Sequence, residues 1–187
     1  MNVKNSYRNL SPANFEVEVK KNVFIPMPDG IHLAAGLDRP RAKGSFPVIL
    51  VFMPYGKDLE AAYGGPYQRD LWFFAQRGYV GVFVDFRGTG NSEGALPGYW
   101  SNQEFQDGRD VIKWIMVQEW CNGGVGMHGL SYGGMSSIRV AAMNPKGLRT
   151  ISLITVPWPI SIGNTSTPEV CDVQLPTFGY GEIHRGY

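Results

Sequence analysis

A succession of apolar runs constrains this chain more than any other feature: Phe46-Pro-Val-Ile-Leu-Val-Phe-Met53, Tyr79-Val-Gly-Val-Phe-Val-Asp85, the short Val125-Gly-Met-His-Gly129, and Leu148 through Val156. A strand with one wet face alternates apolar and polar residues. A run that does not alternate must be covered on both faces, which is the condition of a strand inside a parallel sheet. The segments between the runs have helical spacing. Leu71, Phe74 and Ala75 mark a helix over Tyr67 to Arg77 that Gly78 ends, and Val111, Trp114, Ile115 and Gln118 mark one over Phe105 to Val117 that Gly123-Gly124 breaks. Small and apolar residues from Tyr132 to Met143 form a third, stopped by Asn144-Pro145. Strands alternating with helices predict an α/β fold with a mostly parallel central sheet and helices on both faces. Ahead of it, Phe15 to Lys20 alternates, Asn22 to Pro26 continues extended, Pro28-Asp29-Gly30 turns the chain, and Ile31 to Leu37 returns, which predicts an opening antiparallel hairpin.

Beyond Val156 this pattern fails. Pro157, Pro159, Gly163, Pro168, Pro176, Gly179, Gly181 and Gly186 interrupt every periodicity, and so long a stretch is not an ordinary loop of a compact domain. At 187 residues, with 43% apolar and 18% charged residues, the rest suffices for one packed core. The formal charge of +1 and the scattered basic residues offer no footprint for nucleic acid or an anionic membrane. Cys121 and Cys171 read as thiols, since two cysteines make no disulfide framework. The polar stretch from Met1 to Leu10 lacks the apolar run of a secretory signal, and no segment approaches a membrane span, so the expected location is cytoplasmic.

Gly129-Leu130-Ser131-Tyr132-Gly133 stands where a buried strand meets a helix. A serine hydroxyl attacks a carbonyl only when it is exposed, held near a base and faced by donors for the developing oxyanion, and a sharp strand-to-helix turn supplies the exposure. Glycines two residues to either side let that turn form. Ser131 is therefore the candidate nucleophile. The helix that follows points its N-terminus at the reacting carbonyl, which makes the Tyr132 backbone N–H the first oxyanion donor. A second donor normally comes from the loop after the first interior strand, here Met53-Pro-Tyr-Gly-Lys-Asp58. Taken alone, Tyr55 in that loop fits two readings equally: a donor, or a tyrosine packed on Pro54.

The loop Asp85-Phe-Arg-Gly-Thr-Gly-Asn-Ser-Glu-Gly94 has glycines spaced loosely like a nucleotide motif, but fits neither the dinucleotide nor the phosphate-loop template. Asp85 and Arg87 are expected to pair and stiffen this loop at the carboxyl end of the sheet. His128, one position before Gly129, is expected to pack into the neighbouring layer and to serve as no base.

With these residues in view, the chain resembles the Xaa-Pro dipeptidyl-peptidase and cocaine-esterase (CocE/NonD, peptidase S15-like) family of α/β-hydrolases. The likeness is carried by Pro26-Met-Pro-Asp-Gly-Ile-His-Leu-Ala-Ala35, Met53-Pro-Tyr-Gly-Lys-Asp58, the 85–94 loop, and Gln118-Glu-Trp-Cys-Asn-Gly-Gly-Val-Gly-Met-His-Gly-Leu-Ser-Tyr-Gly-Gly134. It implies an α/β-hydrolase fold and acyl-enzyme chemistry at Ser131. The oxyanion donors would be the Tyr132 N–H and the Tyr55 hydroxyl, acting on small esters, amides or short peptides without a metal or organic cofactor.

Members of that family carry a helical cap, the Asp and His of the triad, and a β-sandwich domain beyond the nucleophile. They also have an acidic, aromatic and Gly-Gly segment after the strand at Leu148, which Val156 to Tyr187 does not supply. The expectation is that residues 1–156 are the N-terminal part of a hydrolase domain, apparently truncated or frameshifted after the nucleophile strand, its helix and one further strand. Residues 157–187 would then be an irregular tail, and the open sheet edge would favour aggregation or a partner. Asp172 and His184 follow Ser131 in the Ser, Asp, His order of the fold, but without the strands that bring such residues to the serine. The competing readings are a non-catalytic binding or decoy protein, and a compact esterase that uses Asp172 and His184.

Overall fold

The computed structural model describes residues 10–62 and 65–154. The opening segments form β1 (Val17–Pro26) and β2 (His32–Pro40), paired antiparallel from Val17 against Pro40 to Pro26 against His32. A bulge between Lys20 and Val23, with Asn22 at φ +56°, interrupts the ladder. The apolar runs become β3 (Phe46–Met53), β4 (Val80–Asp85), β5 (Cys121–Leu130) and β6 (Leu148–Ile154). Between them lie α1 (Lys57–Ala62), α2 (Pro66–Ala75), α3 (Asn102–Met116) and, after β5, α4 (Tyr132–Ala142).

These strands form one six-stranded sheet in the order β1-β2-β4-β3-β5-β6. β2 meets β4 antiparallel, and the β4-β3, β3-β5 and β5-β6 ladders are parallel. The expectation of a mostly parallel sheet behind an antiparallel hairpin is met. Its physical cause shows along β3, whose alternate side chains enter different layers. Leu50 and Phe52 join Ile112 and Ile115 of α3 and Val140 of α4 on one face, whereas Val51 and Met53 join Tyr67 and Leu71 of α2 on the other. All six residues of β4 are buried. Each fully buried aliphatic or aromatic side chain of this kind contributes about 1.5–3 kcal/mol, which is why the runs cannot alternate.

Three boundaries differ from the sequence reading. α1 was not foreseen, because six residues are too few to show a period. α3 begins earlier than Phe105, since Ser101 caps it by accepting the Glu104 N–H at 3.2 Å. β5 begins at Cys121 rather than after Gly124, because Phe46 pairs with Cys121 across an irregular register. Cys121 is a half-buried free thiol. The tail expected at 157–187, with Cys171, Asp172 and His184, lies outside the described residues.

The chain leaves β3 for β4 on one side and, after α3, returns to β5 on the other. In a parallel sheet the point of such a reversal opens a crevice beyond the carboxyl ends of the strands, where the loops after β3, β4 and β5 meet.

Candidate active site

Leu130 ends β5 and Tyr132 begins α4, so the whole change of direction falls on Ser131. It is accommodated at φ +52° and ψ −113°, a conformation that a side chain rarely adopts. Gly129 makes the reversal possible: a Cβ there would stand 2.2 Å from both the carbonyl carbon and the oxygen of Gly133. At Gly133 a Cβ would lie 3.1 Å from the Tyr67 hydroxyl, so the helix start sits directly on the layer beneath it. Ser137 donates to the Gly133 carbonyl at 2.7 Å.

Tyr67 was missed in the sequence, where it marks only the start of a helix. Its hydroxyl donates to the Leu130 carbonyl at 3.0 Å and accepts the Leu130 N–H, gripping both sides of the residue before Ser131. The ring is 2% exposed, so this is a bond made inside the protein.

The Tyr132 ring is where the loops after the strands converge. Trp100 stacks on it with centroids 4.0 Å apart and planes at 13°. Tyr55, Phe86 and Tyr99 meet it edge-on at 6.3, 5.7 and 5.7 Å. Tyr55 thus leans on Tyr132 rather than standing apart on its loop, and it is 49% exposed, with Tyr99 and Trp100 also open to solvent. An aromatic collar therefore borders the elbow on its open side. Below the collar lies Glu104, 3% exposed. It accepts the Tyr132 hydroxyl and the Ser136 hydroxyl, each at 2.8 Å, and the Trp100 N–H at 3.2 Å. Burial raises the pKa of this carboxyl, and these donors and nearby Arg139 pull it back. The spacing Ser101-x-x-Glu104 is a capping-box signature, so the residue was findable, although its carboxylate turns to α4 instead of capping α3.

Asp85 and Arg87 do not pair, contrary to expectation. Asp85 is 1% exposed and accepts the Lys57 N–H at 2.6 Å and the Asn91 N–H at 3.1 Å, tying the loop after β3 to the loop after β4. Arg87 instead forks onto both oxygens of Asp107 on α3, each bond 2.8 Å, and reaches Asp29. A planar guanidinium takes the partner that offers two parallel acceptors, and the Asp85 oxygens are already committed to backbone amides. His128 packs as expected: it is 7% exposed, with Asp70 of α2 at 3.3 Å and Ser152 of β6 at 3.4 Å. His32 faces Glu93 at 3.1 Å. Among the described residues no group of three or more His, Cys, Asp or Glu could hold a metal ion. No helix among them is long and apolar enough to cross a membrane.

Comparison with known proteins gives matches in both sequence and fold. The sequence model of the X-Pro dipeptidyl-peptidase (S15) family covers residues 29–160. Cocaine esterase of Rhodococcus sp. (strain MB1 Bresler) is 38% identical over 148 residues, covering 75% of this chain and 25% of that protein. A putative Xaa-Pro dipeptidyl-peptidase of Bacillus anthracis is 32% identical over 111 residues, 52% of this chain and 17% of that one. A CocE/NonD family hydrolase from Staphylococcus aureus, a solved structure, superposes with a TM-score of 0.65 at 32% identity over 73% of this chain and 27% of its own. The chain spans about a quarter of the length of cocaine esterase and of the S. aureus hydrolase. The matched stretch of residues 29–160 holds the strand-to-helix turn, the collar and strands β2 to β6, and by it this chain belongs to the X-Pro dipeptidyl-peptidase (S15) family of hydrolases, with an α/β-hydrolase fold.

Proposed function

We propose that Ser131 is the nucleophile of acyl-transfer chemistry on a small ester, amide or short peptide, and that residues 1–156 are the N-terminal part of the hydrolase domain. The observation that carries this reading is the backbone at Ser131: a non-glycine residue at φ +52°, between a strand end and a helix start, flanked by a glycine where no Cβ fits. In this reading the Ser131 Oγ attacks the substrate carbonyl carbon while its proton passes to a general base. The carbonyl oxygen, now an anion, takes hydrogen bonds from the Tyr132 N–H and the Tyr55 hydroxyl. Collapse expels the alcohol or amine, which leaves with the proton, and water then releases the acyl group by the same steps. Supporting these roles, Tyr132 is the first residue of α4, where amides have no partner within the helix, and the Tyr55 ring leans against it.

His32 and His128 are engaged with Glu93 and with Asp70 and Ser152, so the base in this reading comes from beyond residue 154. A fluorophosphonate probe tests the proposal, since it reacts only with an activated serine. Stoichiometric labelling that maps to Ser131 and disappears in Ser131→Ala is expected when the residues that supply the base are present; labelling at another serine, or none with the base supplied, overturns the reading and leaves a non-catalytic binding role. Labelling that survives in His184→Ala would exclude His184 as the base.

A further inference from the structure

We propose that Glu104 is a positioning residue for the oxyanion donor at Tyr132, which rests on the role given above to the Tyr132 N–H. Three groups converge on its two carboxylate oxygens and all are donors: the Tyr132 hydroxyl, the Ser136 hydroxyl and the Trp100 amide. All three can donate to a carboxylate at once, and bonds to a carboxylate that carries charge are the stronger kind. Tyr132 and Ser136 are four residues apart on α4, hence on one face, so Glu104 grips the first turn of that helix from the side of α3. The Trp100 amide also donates to the Tyr132 hydroxyl at 3.2 Å, and the Trp100 indole covers the ring. The far end of the tyrosine is thereby fixed by Glu104 and its face by Trp100. The backbone N–H at its near end is the one that must meet a developing oxyanion within tenths of an ångström. Glu104 touches no substrate position; it acts through Tyr132.

Two readouts on the full chain test this. The first needs no reactivity at Ser131: the amide resonances of residues 132 and 133 in a 1H–15N correlation spectrum. Glu104→Ala is expected to move both, and Glu104→Gln to restore them largely, because its amide oxygen can still accept the Tyr132 hydroxyl while Ser136 turns to accept the NH2. The second is the rate of fluorophosphonate labelling well below the melting temperature. Glu104→Ala and Tyr132→Phe are each expected to slow it about 10- to 100-fold, and the double variant to be no slower than either single one. Unmoved resonances in Glu104→Ala, or single effects that multiply in the double variant, overturn the proposal and leave Glu104 a purely structural group. Should Glu104→Ala not fold, Tyr132→Phe decides, since it keeps the ring packing and removes only the hydroxyl; wild-type resonances at residue 133 together with wild-type labelling then overturn it. If the wild-type chain is not labelled for want of a base, the resonances alone judge the positioning role.

Discussion

Ser131 and Gly129 sit two residues apart and carry opposite conformational demands. A side chain at φ +52° costs roughly 1–3 kcal/mol of backbone strain, a cost that glycine does not bear. Ser131→Gly is therefore expected to raise stability by about 1 kcal/mol in a denaturant titration while abolishing probe labelling. Gly129→Ala should do the reverse of stabilising. Its Cβ would meet backbone atoms at 2.2 Å, which cannot turn away as a side chain can, and a loss of about 3 kcal/mol or more, or failure to fold, is expected. A Gly129→Ala protein as stable as the wild type would mean that the elbow is not built as described. A second residue-scale prediction concerns Asp38, which is 4% exposed beside a cavity of about 180 Å³ lined in part by Lys57, Gln68 and Phe83. Burial pushes its carboxyl up to about 6, against which the hydrogen bond from Gln68 works only partly. Between about pH 4 and pH 6 the unfolded chain has released this proton and the folded chain still holds it, so the group's contribution to stability falls as pH rises through that window and stays low above it. Asp38→Asn should remove that fall and gain about 1–2 kcal/mol at pH 7 relative to pH 4. Parallel stability profiles of the two proteins from pH 4 to 7 would refute this.

At the scale of elements, the join of β5 to α4 depends on α2. The Tyr67 hydroxyl completes the hydrogen bonding of Leu130 at the strand end. Tyr67→Phe leaves that N–H and carbonyl without it and is expected to cost about 2 kcal/mol, lowering the thermal midpoint by roughly 4–8 °C in a calorimetric scan. A shift under one degree would show that Leu130 finds other partners at no cost. Such couplings across elements mark the limit of what the sequence discloses. The interior strands were legible because burial on both faces leaves an unbroken apolar run, as in Val80 to Asp85, and the elbow was legible because its glycines are required locally. α1 was not, being too short for a period, and neither was the true partner of Arg87, because Asp107 lies on an element placed beside it only by the fold. Tyr55 was left between two readings by its loop alone; its lean on Tyr132 follows from the β3-β5 pairing, which sequence spacing does not encode.

For the whole molecule, the two edges of the described sheet differ in kind. β1 is blunted by its bulge and by exposed Lys20 and Lys21, both of which obstruct the approach of another strand. β6 pairs with β5 on one side, and among the described residues no strand pairs with the other. Its Leu153 is 38% exposed, close to the end of the strand, and none of its described positions offers an acidic side chain to repel a like edge. From Thr150 to Ile154, past a slip in register at exposed Arg149, this edge is uncharged and carries an exposed leucine, which makes it a template for a second strand. The 187-residue chain is therefore expected to self-associate at micromolar concentration, and Leu153→Lys to shift the population toward monomer, as read by size-exclusion chromatography with light scattering. A wild-type chain that stays monomeric across that range would mean that residues beyond 154 already cover the edge. In that case, deleting residues 157–187 should be what brings the association on.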